Sequence, residues 1–261
     1  MPNHANRAVV DETSAEKPDS NTSHYPNCLF LGGRGQLGKS FAARWFLERA
    51  REVGRAVRVA DADHTNQTLR GFVSDAVSPP SADPVSVQGW LEDELASAAA
   101  TNTSIIVDFG AGDQVIANLA REVTLVEAIK EIGLQPTAVY FIGADPDDVA
   151  TVEMLLHSFA PTATIIAYAR HVVARHVDPS VALRSLIERS NMLSALLDGD
   201  ARLVPVPVLS CAHKLSERRV GFLDAMSGHG PEPLGPFDRQ RVTTWWRAME
   251  TAFTPVLHWL P

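Results

Sequence analysis

Residues 28–40 read Cys-Leu-Phe-Leu-Gly-Gly-Arg-Gly-Gln-Leu-Gly-Lys-Ser (CLFLGGRGQLGKS). A short apolar run leads into Gly33-Arg34-Gly35-Gln36-Leu37-Gly38-Lys39-Ser40, which fits the pattern G-x-x-x-x-G-K-[ST] at every fixed position. In such a loop the glycines let successive backbone N–H groups turn inward around a phosphate, the lysine reaches the outer phosphates, and the following hydroxyl ligates Mg²⁺. Those roles fall here to Lys39 and Ser40. Beyond them Phe41, Trp45, Phe46, Ala50 and Val53 recur at three- and four-residue intervals, the period of a helix packed on a sheet, with Gly54 as its stop. The N-terminus of that helix would point at the same anion. A Gly-rich turn with no ligand would leave the Lys-Ser pair unexplained, so the candidate phosphate contacts are Gly33, Arg34, Gly35, Gln36, Leu37, Gly38, Lys39, Ser40 and Phe41.

Outward from this loop, apolar strands and amphipathic helices alternate. Residues 56–60 (AVRVA) form a predicted strand that ends in Asp61-Ala62-Asp63. This places carboxylates at the carboxyl edge of a sheet, where open α/β folds bind ligands; for Asp61 the competing role is capping of the strand-end turn. Residues 104–107 (SIIV) form a second such strand, followed by Asp108-Phe109-Gly110-Ala111-Gly112. An aspartate there can hold a Mg²⁺-bound water. Strands are also predicted at 137–142, 164–168 and 203–209, the last at an edge because it contains two prolines. Helices are predicted at 90–100, 115–132, 146–158, 179–197, 214–226 and 237–253, with Glu92, Asp93 and Glu94 on the early turns of the first. The stretches 72–87 and 227–236 read as loops. Six strands alternating with helices predict the α/β class: a mainly parallel sheet of about six or more strands with helices on both faces, a three-layer α/β/α arrangement.

The chain has 261 residues, 45% hydrophobic and 21% charged, which suits one large domain over 25–261 after a flexible tail over 1–24 rich in Asn, Ser, Asp, Glu and Pro. A formal net charge of -8 disfavours a broad nucleic-acid-binding face and leaves only local basic patches such as 170–175 and 218–219. DNA contact is therefore expected to be indirect. Cys28 and Cys211 are the only cysteines and read as buried thiols of a reducing cytoplasm. There is no apolar run of transmembrane length and no apolar core of a signal peptide at the N-terminus. His171 and His176 sit among Arg170 and Arg175 and read as a solvated basic face rather than a metal pair. Trp245, Trp246 and Trp259 read as core or a docking surface.

Taken together, GGRGQLGKS, VADADHTNQTLRGF and IIVDFGAG resemble the deviant-Walker P-loop ATPases of the ParA/MinD superfamily, and within it the TraL-like proteins of conjugative and mobilisable plasmids. The resemblance covers residues 27 to about 170 and is carried by those three motifs. It implies a P-loop NTPase fold, ATP and Mg²⁺ as ligands, and an ATP-dependent homodimer whose partner lies in a plasmid transfer, mobilisation or partition machinery. On this resemblance Lys39 matches the Walker lysine, Ser40 the Mg²⁺ ligand, Asp63 the aspartate that orients the attacking water, and Asp108 the Walker B aspartate. Arg34 stands where the family has an extra lysine that reaches the partner's nucleotide. An arginine keeps that charge and adds a planar fork, so it is a candidate catalytic group beside Lys39 and Asp63. The metal set implied is Ser40, Asp63 and Asp108. His64-Thr65 replaces the Pro-Gln that often follows the acids in the family, and no adenine-reading Asn is recognisable at 168–171. The expected function is an ATP-hydrolysing switch; a P-loop kinase or ligase acting on a small metabolite and a nucleotide-gated binding module with little turnover are the alternatives.

Overall fold

The computed structural model describes residues 25–62, 69–110 and 115–261. The predicted tail over 1–24, Asp63 with the residues after it, and Ala111-Gly112 lie outside the described residues. Six strands, β1 (Asn27–Gly32), β2 (Val57–Asp61), β3 (Ser104–Asp108), β4 (Gln135–Ile142), β5 (Ala163–Ala169) and β6 (Arg202–Val206), form one sheet in the order β2-β3-β1-β4-β5-β6. Every pairing is parallel. The helices are α1 (Lys39–Glu52), α2 (Pro84–Ala100), α3 (Val115–Glu122), α4 (Leu125–Glu131), α5 (Pro146–Ser158), α6 (Pro179–Arg189), α7 (Asn191–Asp198), α8 (Ala212–Arg218), α9 (Phe222–Ser227) and α10 (Pro236–Phe253). They lie on both faces of the sheet, which is the predicted three-layer α/β/α class.

The four inner strands, β3, β1, β4 and β5, are almost wholly buried runs because both faces are covered, whereas the edge strands β2 and β6 carry Arg58 and Arg202. Side chains alternate across the sheet: Leu29 and Leu31 of β1 face the core shared with α1, α8, α9 and α10, while Cys28 and Phe30 face the one shared with α2 to α7. Both cysteines are buried and free. In the first core Trp45 of α1 lies against Trp246 and Phe253 of α10, with ring centroids 6.0 and 5.1 Å away. Trp245 and Trp246 are accordingly buried, while Trp259 packs at the margin of that core.

Several predicted helices are shorter or divided. The stretch expected as one helix over 115–132 breaks between Glu122 and Leu125, and the one over 179–197 breaks at Ser190. Ser190 Oγ accepts the Leu193 N–H at 3.1 Å and so caps α7, a role its hydroxyl suits better than a helix interior. The helix over 214–226 breaks where Arg219 turns left-handed (φ 49°) ahead of Gly221. Helix α2 begins at Pro84, inside the predicted 72–87 loop. Proline is compatible with a first helical position, and Asp83 Oδ2 caps the Ser86 N–H at 2.9 Å. As a result Glu92, Asp93 and Glu94 lie mid-helix, not on its first turn. The strand expected over 203–209 ends at Val206, before Pro207, and occupies the edge as its prolines required.

Candidate functional site

Strand register assembles the site. Leu31 pairs with Asp108 and Asp108 with Asp61, so the carboxyl ends of β1, β3 and β2 finish level. The connections after β1 and β4 leave in opposite directions, and the loop 33–38 opens at that switch point, the place where open α/β sheets bind ligands. Gly33 (φ 131°) and Gly38 (φ 89°) make the turns that bring the loop back into α1. Gly33 has no room for a side chain, because a Cβ there would lie 2.6 Å from Phe141 O on β4. Gln36 also adopts the left-handed region (φ 66°) at the exposed tip.

Lys39, at the first position of α1, is buried and folds back over the loop. Its Nζ donates to Gly33 O at 2.9 Å and to Arg34 O at 3.1 Å. One residue on, the Ser40 hydroxyl donates to Asp108 Oδ2 at 2.6 Å across 68 residues of chain, with Asp108 itself buried at the end of β3. The two oxygen-bearing side chains expected at a Mg²⁺ site are therefore in contact beside the lysine. Hydroxyl and carboxylate oxygens are the hard donors Mg²⁺ prefers, and this pair fits that ion. Asp61 is buried beside them, and its Oδ2 accepts the Arg70 N–H at 3.1 Å, so it caps the turn that follows the acidic stretch. Asp63, the third expected member, lies outside the described residues.

Arg34 is placed differently from Lys39. Its Nη1 sits 3.2 Å from Asp145 Oδ2, 3.3 Å from Asp148 Oδ1 and 3.9 Å from Asp147 Oδ2, all at the start of α5. Asp148 is buried and its Oδ2 also accepts the Gly143 N–H at 2.8 Å, which ties the end of β4 to the same cluster. The Asp147 N–H, and next Arg34, hold the Asp145 carboxyl below its ordinary range, while Asp145 raises the Arg34 guanidinium in turn. In this chain Arg34 is thus engaged by its own acids. Sequence reasoning misses those acids although the signal is present: Gly-Ala-Asp-Pro-Asp-Asp follows an apolar strand just as the aspartates after β2 and β3 do.

The helix that carries Lys39 and Ser40 is anchored from behind. Arg44 is buried, donates to Val220 O at 2.9 Å and lies 3.8 Å from the Phe72 ring and 4.9 Å from the Phe222 ring. Burial pushes its pKa down to about 10. One turn on, Glu48 accepts the Leu223 N–H at 2.9 Å, and burial raises its carboxyl. Among the described residues no group of three or more His, Cys, Asp or Glu side chains could hold a metal ion. No described helix is long and apolar enough to cross a membrane.

A parallel α/β/α sheet with this loop after its first strand is the P-loop NTPase arrangement. Among solved structures, the chain is similar to the MinC:MinD cell division protein complex of Aquifex aeolicus, at 13% identity and a TM-score of 0.49 over 86% of this chain and 96% of that one. Chloroplast FtsY of Physcomitrella patens is similar at 13% identity and 0.45, over 85% of this chain and 65% of that one. FtsY of Mycoplasma mycoides is similar at 21% identity and 0.39, over 54% of this chain and 52% of that one, so the match spans about half of that FtsY's length. Neither a protein-family model nor a curated protein sequence matches the chain.

Proposed function

We propose that the protein is a Mg²⁺-dependent nucleoside-triphosphatase that acts as a switch. The observation that supports this most directly is the 2.6 Å contact between Ser40 and Asp108, made beside Lys39 and the glycine loop. Phosphoryl transfer asks a protein chiefly to position groups and to neutralise charge. The Lys39 ammonium, held over the loop by two carbonyls, would exchange them for phosphate oxygens. Backbone N–H groups of the loop and of the first turn of α1 would take the remaining oxygens. Ser40 and Asp108 would hold Mg²⁺, which when bound withdraws charge from the phosphate oxygens. Asp63 is assigned the role of orienting the attacking water. A bond then forms from that water's oxygen to the terminal phosphorus as the bond to the bridging oxygen breaks, giving nucleoside diphosphate, inorganic phosphate and a proton.

The motif resemblance supports a finer reading, in which ATP pairs two copies of the chain and the pair serves plasmid transfer, mobilisation or partition. In that reading Arg34 leaves Asp145 and Asp148 when the second copy arrives and contacts its phosphates. Phosphate release from ATP or GTP by the purified protein with Mg²⁺ and no added metabolite tests hydrolysis. Nucleoside diphosphate that forms only when a small-molecule acceptor is supplied would refute the switch and favour a kinase or ligase.

A further inference from the structure

An apolar cavity of about 290 Å³ adjoins the phosphate loop. That volume is at the lower end of the range for small-molecule sites, roughly 300–1,000 Å³. Leu37, Gly38 and Phe41 form one wall, the segment after β6 at Val208 another, and Trp245 and Met249 of α10 the base. His171, after β5, closes the side next to the loop: a Cβ on Gly38 would lie 3.3 Å from His171 Cε1. Gly38 belongs both to the phosphate loop and to this cavity. A ligand whose phosphates lie in the loop can therefore extend its remaining part into the cavity without leaving the protein.

The chemistry of the walls says what that part is. Phe41 and Trp245 adjoin, with centroids 5.4 Å apart and planes at 62°, and make a continuous aromatic surface. Among the described lining residues, polar side chains are confined to His171 and Trp245. The indole N–H of Trp245 donates to Pro207 O at 3.0 Å, and His171 Nε2 lies 3.1 Å from Gln36 O, so both are engaged within the protein. Pro207 also has no N–H to offer. Among the described residues the cavity thus presents apolar and aromatic surface to a flat ring, with no lining side chain committed to reading the ring's edge.

Specificity turns on the size of two effects. Sites that hydrogen-bond a distinguishing group reject its analogue by about 10⁴–10⁵, whereas apolar pockets discriminate by only about 10–200-fold. Adenine and guanine differ in edge groups and hardly in ring shape. We propose that this cavity seats the purine of the bound nucleotide by apolar contact and accepts adenine and guanine with similar affinity. The proposal rests on the phosphate-loop reading above and deepens it.

The test is calorimetric titration of the full chain with ATP, GTP and inorganic tripolyphosphate, each with Mg²⁺. Ala212, half-buried at the start of α8, lines the cavity, and Ala212→Phe fills it; Val208→Trp does so from an exposed position. The expected result is ATP and GTP affinities within roughly tenfold of each other, both tighter than tripolyphosphate. In the filled variants both nucleotides weaken by about tenfold or more while tripolyphosphate binding is kept. A preference above roughly 200-fold for one purine overturns the proposal, because apolar walls do not supply it. So does equal affinity for ATP and tripolyphosphate, or unchanged nucleotide affinity in both filled variants. Failure of the wild-type chain to bind tripolyphosphate and both nucleotides overturns the phosphate-loop reading itself, and the proposal with it.

Discussion

Replacement of Gly33 by alanine separates two costs that the phosphate loop avoids by using glycine. The first is conformational: φ at Gly33 is 131°, a region L-residues rarely adopt, and holding one there costs about 1–3 kcal/mol. The second is steric, since the new Cβ would lie 2.6 Å from Phe141 O and 3.3 Å from Phe141 Cβ. Phe141 cannot retreat easily, because it is fully buried on β4, which is paired with β1 on one side and β5 on the other. Forcing extra volume into such packing costs a further 1–3 kcal/mol or so, for a total of about 2–6 kcal/mol, centred on ~4. Gly54→Ala is the matched control: φ there is 75°, but nothing lies within 4 Å of the added Cβ, so only about 1–2 kcal/mol of strain is expected. Urea denaturation reads both. With a slope of about 3 kcal/mol per molar for a chain of this size, Gly33→Ala should lower the midpoint by about 1 M or more, and Gly54→Ala by about half that or less. Midpoints for the two variants within about 0.2 M of each other would refute the argument that β4 closes the space behind the loop.

Three more variants probe the site and its surroundings. Asp108→Asn keeps an oxygen for the Ser40 hydroxyl but removes the charge, so the gain in nucleotide affinity on adding Mg²⁺ should fall at least about tenfold, read by titration with and without EDTA; an unchanged gain would place the metal elsewhere. Arg34→Ala should leave nucleotide affinity of the single chain within about threefold while abolishing nucleotide-dependent pairing in sedimentation, and an intact pair would show that Arg34 serves only its own acids. The cap carboxyls of Asp83, Asp145 and Asp178 are held below their ordinary value, first of all by the backbone N–H groups of Ser86, Asp147 and Ser180. The folded chain therefore binds these protons less tightly than the unfolded one, so their contribution is whole above the unfolded value near pH ~4 and is lost as pH falls through the lower folded values. The urea midpoint should drop between about pH 6 and pH 3, and drop less in the triple Asp→Asn variant; equal drops would contradict the assignment.

Much of this arrangement is legible in the sequence because it is local. The order of strand, glycine loop and helix from Cys28 to Glu52 is written in consecutive residues, as are apolar runs that end in Asp61 and Asp108. Two prolines in one strand place it at the edge by the same logic. The features that escape depend on competition or on distance. Helical period runs straight through Ser190 and Arg219, where a capping hydroxyl and a left-handed residue end the helices instead. Proline at 84 suggests a loop, yet with Asp83 as its cap it opens a helix. The partners of Arg34 lie more than a hundred residues away, and only the parallel pairing of β1 with β4 brings them together. Trp245, expected in the core or on a docking surface, is buried and also walls the cavity beside the loop, a double role that helical spacing cannot express.

Titration of the folded chain with ATP and with GTP in the presence of Mg²⁺, beside Lys39→Ala, tests the central claim most directly. The geometry of Lys39 over Gly33 O and Arg34 O, next to the Ser40–Asp108 contact, predicts one nucleotide bound per chain and a loss of at least about a hundredfold in affinity when the lysine is removed from a variant whose circular dichroism is unchanged. Equal affinity in the two proteins would contradict it.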